Sequence, residues 1–133
     1  MTTGKKEIEV APRLKRKHPF RQWKTWNIPR THLSLTGYSR GHDKTFFHVS
    51  GLQCCLDAGL CEGRQEPYVF LTHTHSDHSA DIEYLANRER GVDIYLPSEA
   101  KAYLEAYIVA KREMNTSKPF DVSLAESFRI HGV

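Results

Sequence analysis

One stretch near the middle of the chain restricts its fold more than any other. An apolar run, Tyr68-Val69-Phe70-Leu71-Thr72, leads directly into His73-Thr74-His75-Ser76-Asp77-His78. A short apolar run followed by polar residues is the pattern of a buried strand. Residues two apart lie about 200° apart around a helix but on the same side of an extended chain. His73 and His75, leaving a strand, therefore project together and can grip one ion. A turn after Ser76 aims Asp77 and His78 at a second point nearby. Imidazole and carboxylate donors suit zinc.

The flanking pattern predicts an α/β unit. Ser79 to about Arg90 reads as a helix, with Ser79 as its cap and Asp81 and Glu83 in the first turn. Arg88 and Arg90 occupy its last turn, and Gly91 stands where a left-handed cap belongs. Its apolar stripe is Ile82, Leu85 and Ala86, and its positive end would face the histidines, favouring hydroxide or phosphate there. Val92–Leu96 is a second buried strand. A helix over about Ser98–Asn115 carries Ala100, Tyr103, Leu104, Tyr107, Ile108 and Met114 near one face. Strand, helix, strand, helix predicts parallel pairing. Upstream, Thr31–Ser39 is strand-like, and Thr45–Val49 and Leu52–Asp57 form a hairpin about Ser50-Gly51. Ser127–His131 begins a further strand.

Composition narrows the class. A chain of 133 residues has length for one domain, and 39% hydrophobic with 26% charged residues is a globular balance. No run approaches the roughly 18 apolar residues of a membrane span. The first 25 residues lack the apolar core of a secretory signal, so an intracellular protein, cytoplasmic or nuclear and not secreted, is expected. Cys54, Cys55 and Cys61 cannot all pair, which fits a reducing compartment. The net charge of +3 is uneven: residues 1–30 hold nine Lys/Arg against two Glu, and residues 31–133 hold ten against fourteen Asp/Glu. The expected organisation is a flexible basic arm over residues 1–30 and a folded unit over 31–133. Arg13, Lys15, Arg16, Lys17, Arg21 and Lys24 alternate with Phe20, Trp23 and Trp26. Such an arm can contact phosphates and stack on bases, or its two Trp can pack on the body.

The HxHxDH spacing resembles the signature of the metallo-β-lactamase superfamily, and neighbouring segments agree. Cys55–Gly59 (CLDAG) resembles the family's early strand ending in a buried Asp. Val69–His78 (VFLTHTHSDH) resembles its metal loop, and Val92–Pro97 (VDIYLP) the next strand. Gly37–Phe47 (GYSRGHDKTFF) and Ser127–Val133 (SFRIHGV) are most similar to the branch containing ribonuclease Z, the zinc endonuclease that trims tRNA precursor 3′ ends.

The resemblance implies a partial metallo-β-lactamase fold, an αββα sandwich of which this chain carries the first sheet and its helices only. It implies two Zn2+ ions, the first on His73 and His75, the second on Asp77 and His78. Asp77 is also implied as the catalytic proton acceptor from the attacking water. Asp57 is implied to brace the metal loop, although an Asp before Ala58-Gly59 also reads as a turn residue. The family completes its centre with two further His and a bridging Asp from a later half. After His78 the remaining histidine is His131, in a framework segment, and it is not expected to be a ligand. The chain is accordingly expected to be a fragment or degenerate relative, binding zinc weakly alone and showing little nuclease activity. Its uncovered sheet face would recruit a second copy, as a homodimer, or another partner. The implied function is a zinc-dependent hydrolase, most similar to a ribonuclease Z-like phosphodiesterase acting on precursor tRNA or other RNA. Two other readings stay open: a small-molecule metallohydrolase of the thioester or lactam type, and a non-catalytic remnant that binds RNA or protein.

Overall fold

The structure is a computed structural model and describes residues 23–133. The expectations placed on Arg13, Lys15, Arg16, Lys17, Phe20 and Arg21 lie outside the described residues. Among the described residues, seven strands form one sheet in chain order. They are β1 (Lys24–Asn27), β2 (Ser34–Arg40), β3 (Lys44–Ser50), β4 (Cys54–Leu56), β5 (Tyr68–Phe70), β6 (Val92–Leu96) and β7 (Phe128–Gly132). Pairing is antiparallel from β1 to β4 and parallel from β4 to β7. Interleaved among the described residues are the helices α1 (Ser76–Ser79), α2 (Ile82–Ala86) and α3 (Lys101–Thr116), the last preceded by a 3-10 turn over Ser98–Ala100. The fold is therefore α/β, with a mixed sheet and helices, as the sequence predicts.

Registry decides what each face of the sheet holds. Cys55, Val69, Ile94 and Ile130 stand side by side across four strands. Ile82, Leu85 and Ala86 of α2 and Leu104 and Ile108 of α3 pack with the first three of these in one core cluster, with Ile130 partly buried against it. Each large aliphatic side chain removed from water this way contributes about 1.5–3 kcal/mol. The other face carries two adjacent rows, Phe47, Leu56, Phe70, Tyr95 and His131, and Val49, Cys54, Tyr68, Asp93 and Arg129. Here Phe70 stacks on Tyr95 at 5.1 Å and Tyr95 on His131 at 4.7 Å. Asp93 Oδ1 accepts from Arg129 Nε (2.7 Å) and His131 Nε2 (2.9 Å). Those two hydrogen bonds, Arg129's first, hold the Asp93 carboxyl well below the usual carboxylate range.

Several elements differ from their sequence-based expectation for identifiable reasons. The β3–β4 connection takes three residues, Gly51 to Gln53, with positive φ at Gly51 (101°) and Gln53 (53°). Of the helix expected over Ser79–Arg90, Ile82–Ala86 is helical as α2, and a separate short helix, α1, precedes it and ends at Ser79. Asp81 separates the two, because its amide donates to the Ala58 carbonyl (2.8 Å) and its Oδ2 accepts from the Cys61 amide (2.9 Å). Ser79 is no cap; its hydroxyl donates back to the Thr74 and His75 carbonyls. In α3 the buried ladder is Leu104, Ile108 and Arg112, at four-residue spacing. Tyr103 and Met114 lie about 100° and 200° around from that ladder, and are 76% and 72% exposed. Arg112 sits among apolar neighbours, over the rings of Phe120 and Phe128, with Nε 3.7 Å from Glu83 Oε2.

Strand β1 falls within the segment read as an arm. Lys24–Asn27 pairs with β2, Trp23 packs on Phe46 at 5.5 Å, and Trp26 on Phe47 at 6.0 Å. No helix among the described residues is long and apolar enough to cross a membrane.

Candidate metal centre

The histidine loop is built on the junction where β4 ends. Asp57 adopts a left-handed φ of 63°, which Asp tolerates better than most side chains. Its amide donates to the Phe70 carbonyl (2.7 Å), fastening β4 to β5 at their shared end. The next two amides reach in opposite directions: Ala58 N donates to His78 O (2.7 Å) and Gly59 N to Thr45 O (2.8 Å). Gly59 is held so closely that a Cβ there would lie 2.0 Å from the Asp77 carbonyl oxygen and 2.7 Å from Thr45 N. The backbone of the loop thus rests directly on Asp57-Ala58-Gly59.

Side chains continue the same connection. Asp57 is 4% exposed. Its Oδ1 accepts from the Thr72 amide (2.9 Å) and the Thr72 hydroxyl (3.0 Å). A hydroxyl has one proton to give, and Thr72 gives it to Asp57. Its 2.9 Å contact with His73 Nδ1 is then one in which Thr72 accepts and the ring N–H donates. The proton resides on Nδ1, and the Nε2 lone pair of His73 is left for a ligand. Asp57 Oδ2 also lies 3.0 Å from His78 Nδ1, off the line of a hydrogen bond. One buried carboxylate therefore faces two of the three imidazoles, one through Thr72 and one directly.

The structure brings His73, His75, Asp77 and His78 into one neighbourhood. The ring of His73 meets His75 edge-on at 4.6 Å and His78 at 4.1 Å. His78 Nε2 is 3.4 Å from Asp77 Oδ2. That same oxygen accepts the His42 amide (3.2 Å). Desolvation raises the Asp77 carboxyl, but its own backbone amide, His78 and His42 outweigh it and hold the group below the usual carboxylate range. The imidazoles pack ring against ring, and among the described residues no group of three or more His, Cys, Asp or Glu is disposed to hold a metal ion. The donor types nevertheless fit zinc. A ligating His normally gives its other N–H to a carboxylate or similar acceptor, as His73 does here. Two donors per ion fall short of the three or four that a zinc site takes.

His131 belongs elsewhere: it bonds Asp93 and stacks on Tyr95. Beside the loop is a hollow of about 610 Å³ whose ionisable lining residues are His42, Asp43, Lys44, His75 and Asp77. Three contributors were not singled out from sequence. Thr72 read as the end of a strand, Gly59 as the end of a turn, and His42, 35 residues from Asp77, carried no local signal.

Residues 36–129 match the family model described as the metallo-beta-lactamase superfamily. No curated protein matches the chain.

Proposed function

Starting from a chain that belongs to the metallo-β-lactamase superfamily, a family of metal-dependent hydrolases, we propose that it supplies the metal loop of a zinc-dependent phosphodiesterase that cleaves RNA. The substrate class would be precursor tRNA, as in ribonuclease Z. The observation that carries this reading is the chain of contacts from Asp57 through Thr72 to His73, next to the cluster of three imidazole rings.

His73 and His75 would hold one zinc ion, and Asp77 and His78 the other. Bound zinc lowers the pKa of a coordinated water to about 7, supplying a nucleophile at neutral pH. The remaining work belongs to the protein's own residues. Asp57 and Thr72 keep the His73 proton on Nδ1. Asp77, ionised at neutral pH, is positioned by the His42 amide to take a proton at a carboxylate oxygen. Its weakened basicity suits it better to holding a cation than to keeping that proton. In the hollow that Asp43 and Asp77 also line, Lys44 and His42 would be the side chains that meet phosphate oxygens. The similarity of Gly37–Phe47 and Ser127–Val133 to the ribonuclease Z branch, with the basic residues before position 31, favours RNA over thioester or lactam substrates.

The test is zinc-dependent cleavage of precursor tRNA, expected to be slow and to fall to background in His75→Ala and Asp77→Ala. Thioester turnover with RNA left intact would replace this reading with the small-molecule hydrolase. RNA binding that survives His75→Ala, in a chain that never cleaves, would leave a binding remnant.

A further inference from the structure

A second hollow, of about 270 Å³, shares Ser76 and Ala80 with the charged one but has a different chemistry. Its remaining walls come from Thr74, Ser79 and three residues of α3, Tyr103, Leu104 and Tyr107. No Lys, Arg, His, Asp or Glu lines it. Tyr107 donates its hydroxyl to the Ala80 carbonyl (3.0 Å), which fixes its ring against the loop. Leu104 is 2% exposed and anchors α3 to the core. Tyr103, four residues before Tyr107 and so on the same side of the helix, contributes nothing to that core. The Ser79 hydroxyl is committed to two carbonyls. Those of Thr74, Ser76 and Tyr103 make no hydrogen bond among the described residues and are available to a ligand.

Two phenol rings, free hydroxyls and no charge suit a flat, neutral group that hydrogen-bonds. The adjoining hollow sets Lys44 and His42 beside Asp43 and Asp77 at the histidine loop, where the reading above puts a phosphate. A nucleotide joins those two groups covalently. We infer that the uncharged hollow is a nucleobase subsite, with Tyr103 as its stacking surface and Tyr107 as its wall, for the nucleotide whose phosphate lies at the histidine loop. The assignment rests on the RNA reading above and adds where a base is held.

The experiment titrates the full chain, without zinc, with adenosine 5′-monophosphate and with ribose 5-phosphate, following amide chemical shifts. The two ligands share sugar and phosphate and differ by the base. Adenosine 5′-monophosphate is expected to bind about tenfold more tightly, within the range for stacking a base on an aromatic side chain. Tyr103→Ala should erase the difference and Tyr103→Phe should keep most of it. Met114→Ala, at an equally exposed position of α3, should leave it unchanged. Equal affinities in the unmodified protein, or a preference lost equally in Met114→Ala, would overturn the subsite. Cleavage of precursor tRNA by a chain lacking the preference sinks the subsite alone. A preference in a chain that leaves RNA intact supports the subsite and sinks the cleavage reading alone.

Discussion

Replacing Thr72 by Val removes one hydroxyl, keeps the side chain's shape, and tests the contact chain behind the histidines. The hydroxyl lies 3.0 and 3.2 Å from the two Asp57 oxygens and 2.9 Å from His73 Nδ1. Asp57 would keep the Thr72 amide (2.9 Å) and its contact with His78. Folding therefore loses one hydrogen bond to a charged acceptor, at an exposed residue, worth about 1–2 kcal/mol. That corresponds to a Tm lower by roughly 5–10 °C for a domain of this size. The effect on metal binding should be larger than stability alone accounts for. Without an acceptor beside it, His73 is free to move its proton to Nε2 and withdraw the lone pair. Loss of such an outer partner costs about 10–100-fold in metal affinity. Calorimetric zinc titration reads that loss, and long-range proton–nitrogen correlation of the imidazoles reads the tautomer. Thr72→Ser should restore both. A Thr72→Val protein that binds zinc within twofold of the parent, or a parent His73 carrying its proton on Nε2, would refute the reasoning.

Two further predictions concern the support beneath the loop and the open face of the sheet. Gly59→Ala would set a Cβ 2.0 Å from the Asp77 carbonyl, and real Cβ atoms essentially never approach within 3.0 Å. The loop must therefore retreat by about 1 Å, at an overpacking cost of about 1–3 kcal/mol with weaker zinc binding besides; an unchanged urea midpoint would contradict this. Asp93, whose carboxyl Arg129 and His131 hold below its ordinary value, stabilises the fold fully above the unfolded carboxylate value of about 3.9. That contribution is lost as pH falls through the lower folded value. Asp93→Asn should thus be less stable at pH 7, by no more than about 1 kcal/mol since Arg129 is half exposed. The gap should close as pH falls below 4, and urea midpoints that stay parallel down to pH 3 would show that the ion pair stabilises nothing.

What the sequence discloses follows the distance over which each feature is made. Val92–Leu96 is legible because Val92, Ile94 and Leu96 alternate with Asp93 and Tyr95, the first three buried on the covered face. The histidine loop is legible because four donor side chains stand within six consecutive residues. The break in the expected Ser79–Arg90 helix is hidden, since Asp81 spends both its amide and its carboxylate on Ala58 and Cys61 rather than on its own helix. Thr72 and Gly59 act through partners 15 and 18 residues away, and no local pattern marks either. Strand β1 escapes for another reason. Lys24-Thr25-Trp26-Asn27 is exposed throughout and has no apolar signal; it exists because β2 offers it an edge, with Thr25 Oγ1 2.9 Å from Thr36 Oγ1.

Strands that lie in the sheet in the same order as in the chain have a consequence for synthesis. Once β1 and β2 have paired, each further strand leaving the ribosome, at roughly 5–20 residues per second, meets the edge left by the one before it. Among β1 to β4 the short connections also keep the entropy of loop closure small. Asp57 is made ahead of the imidazoles that depend on it, and its position is fixed when Phe70 and Thr72, just before His73, reach it.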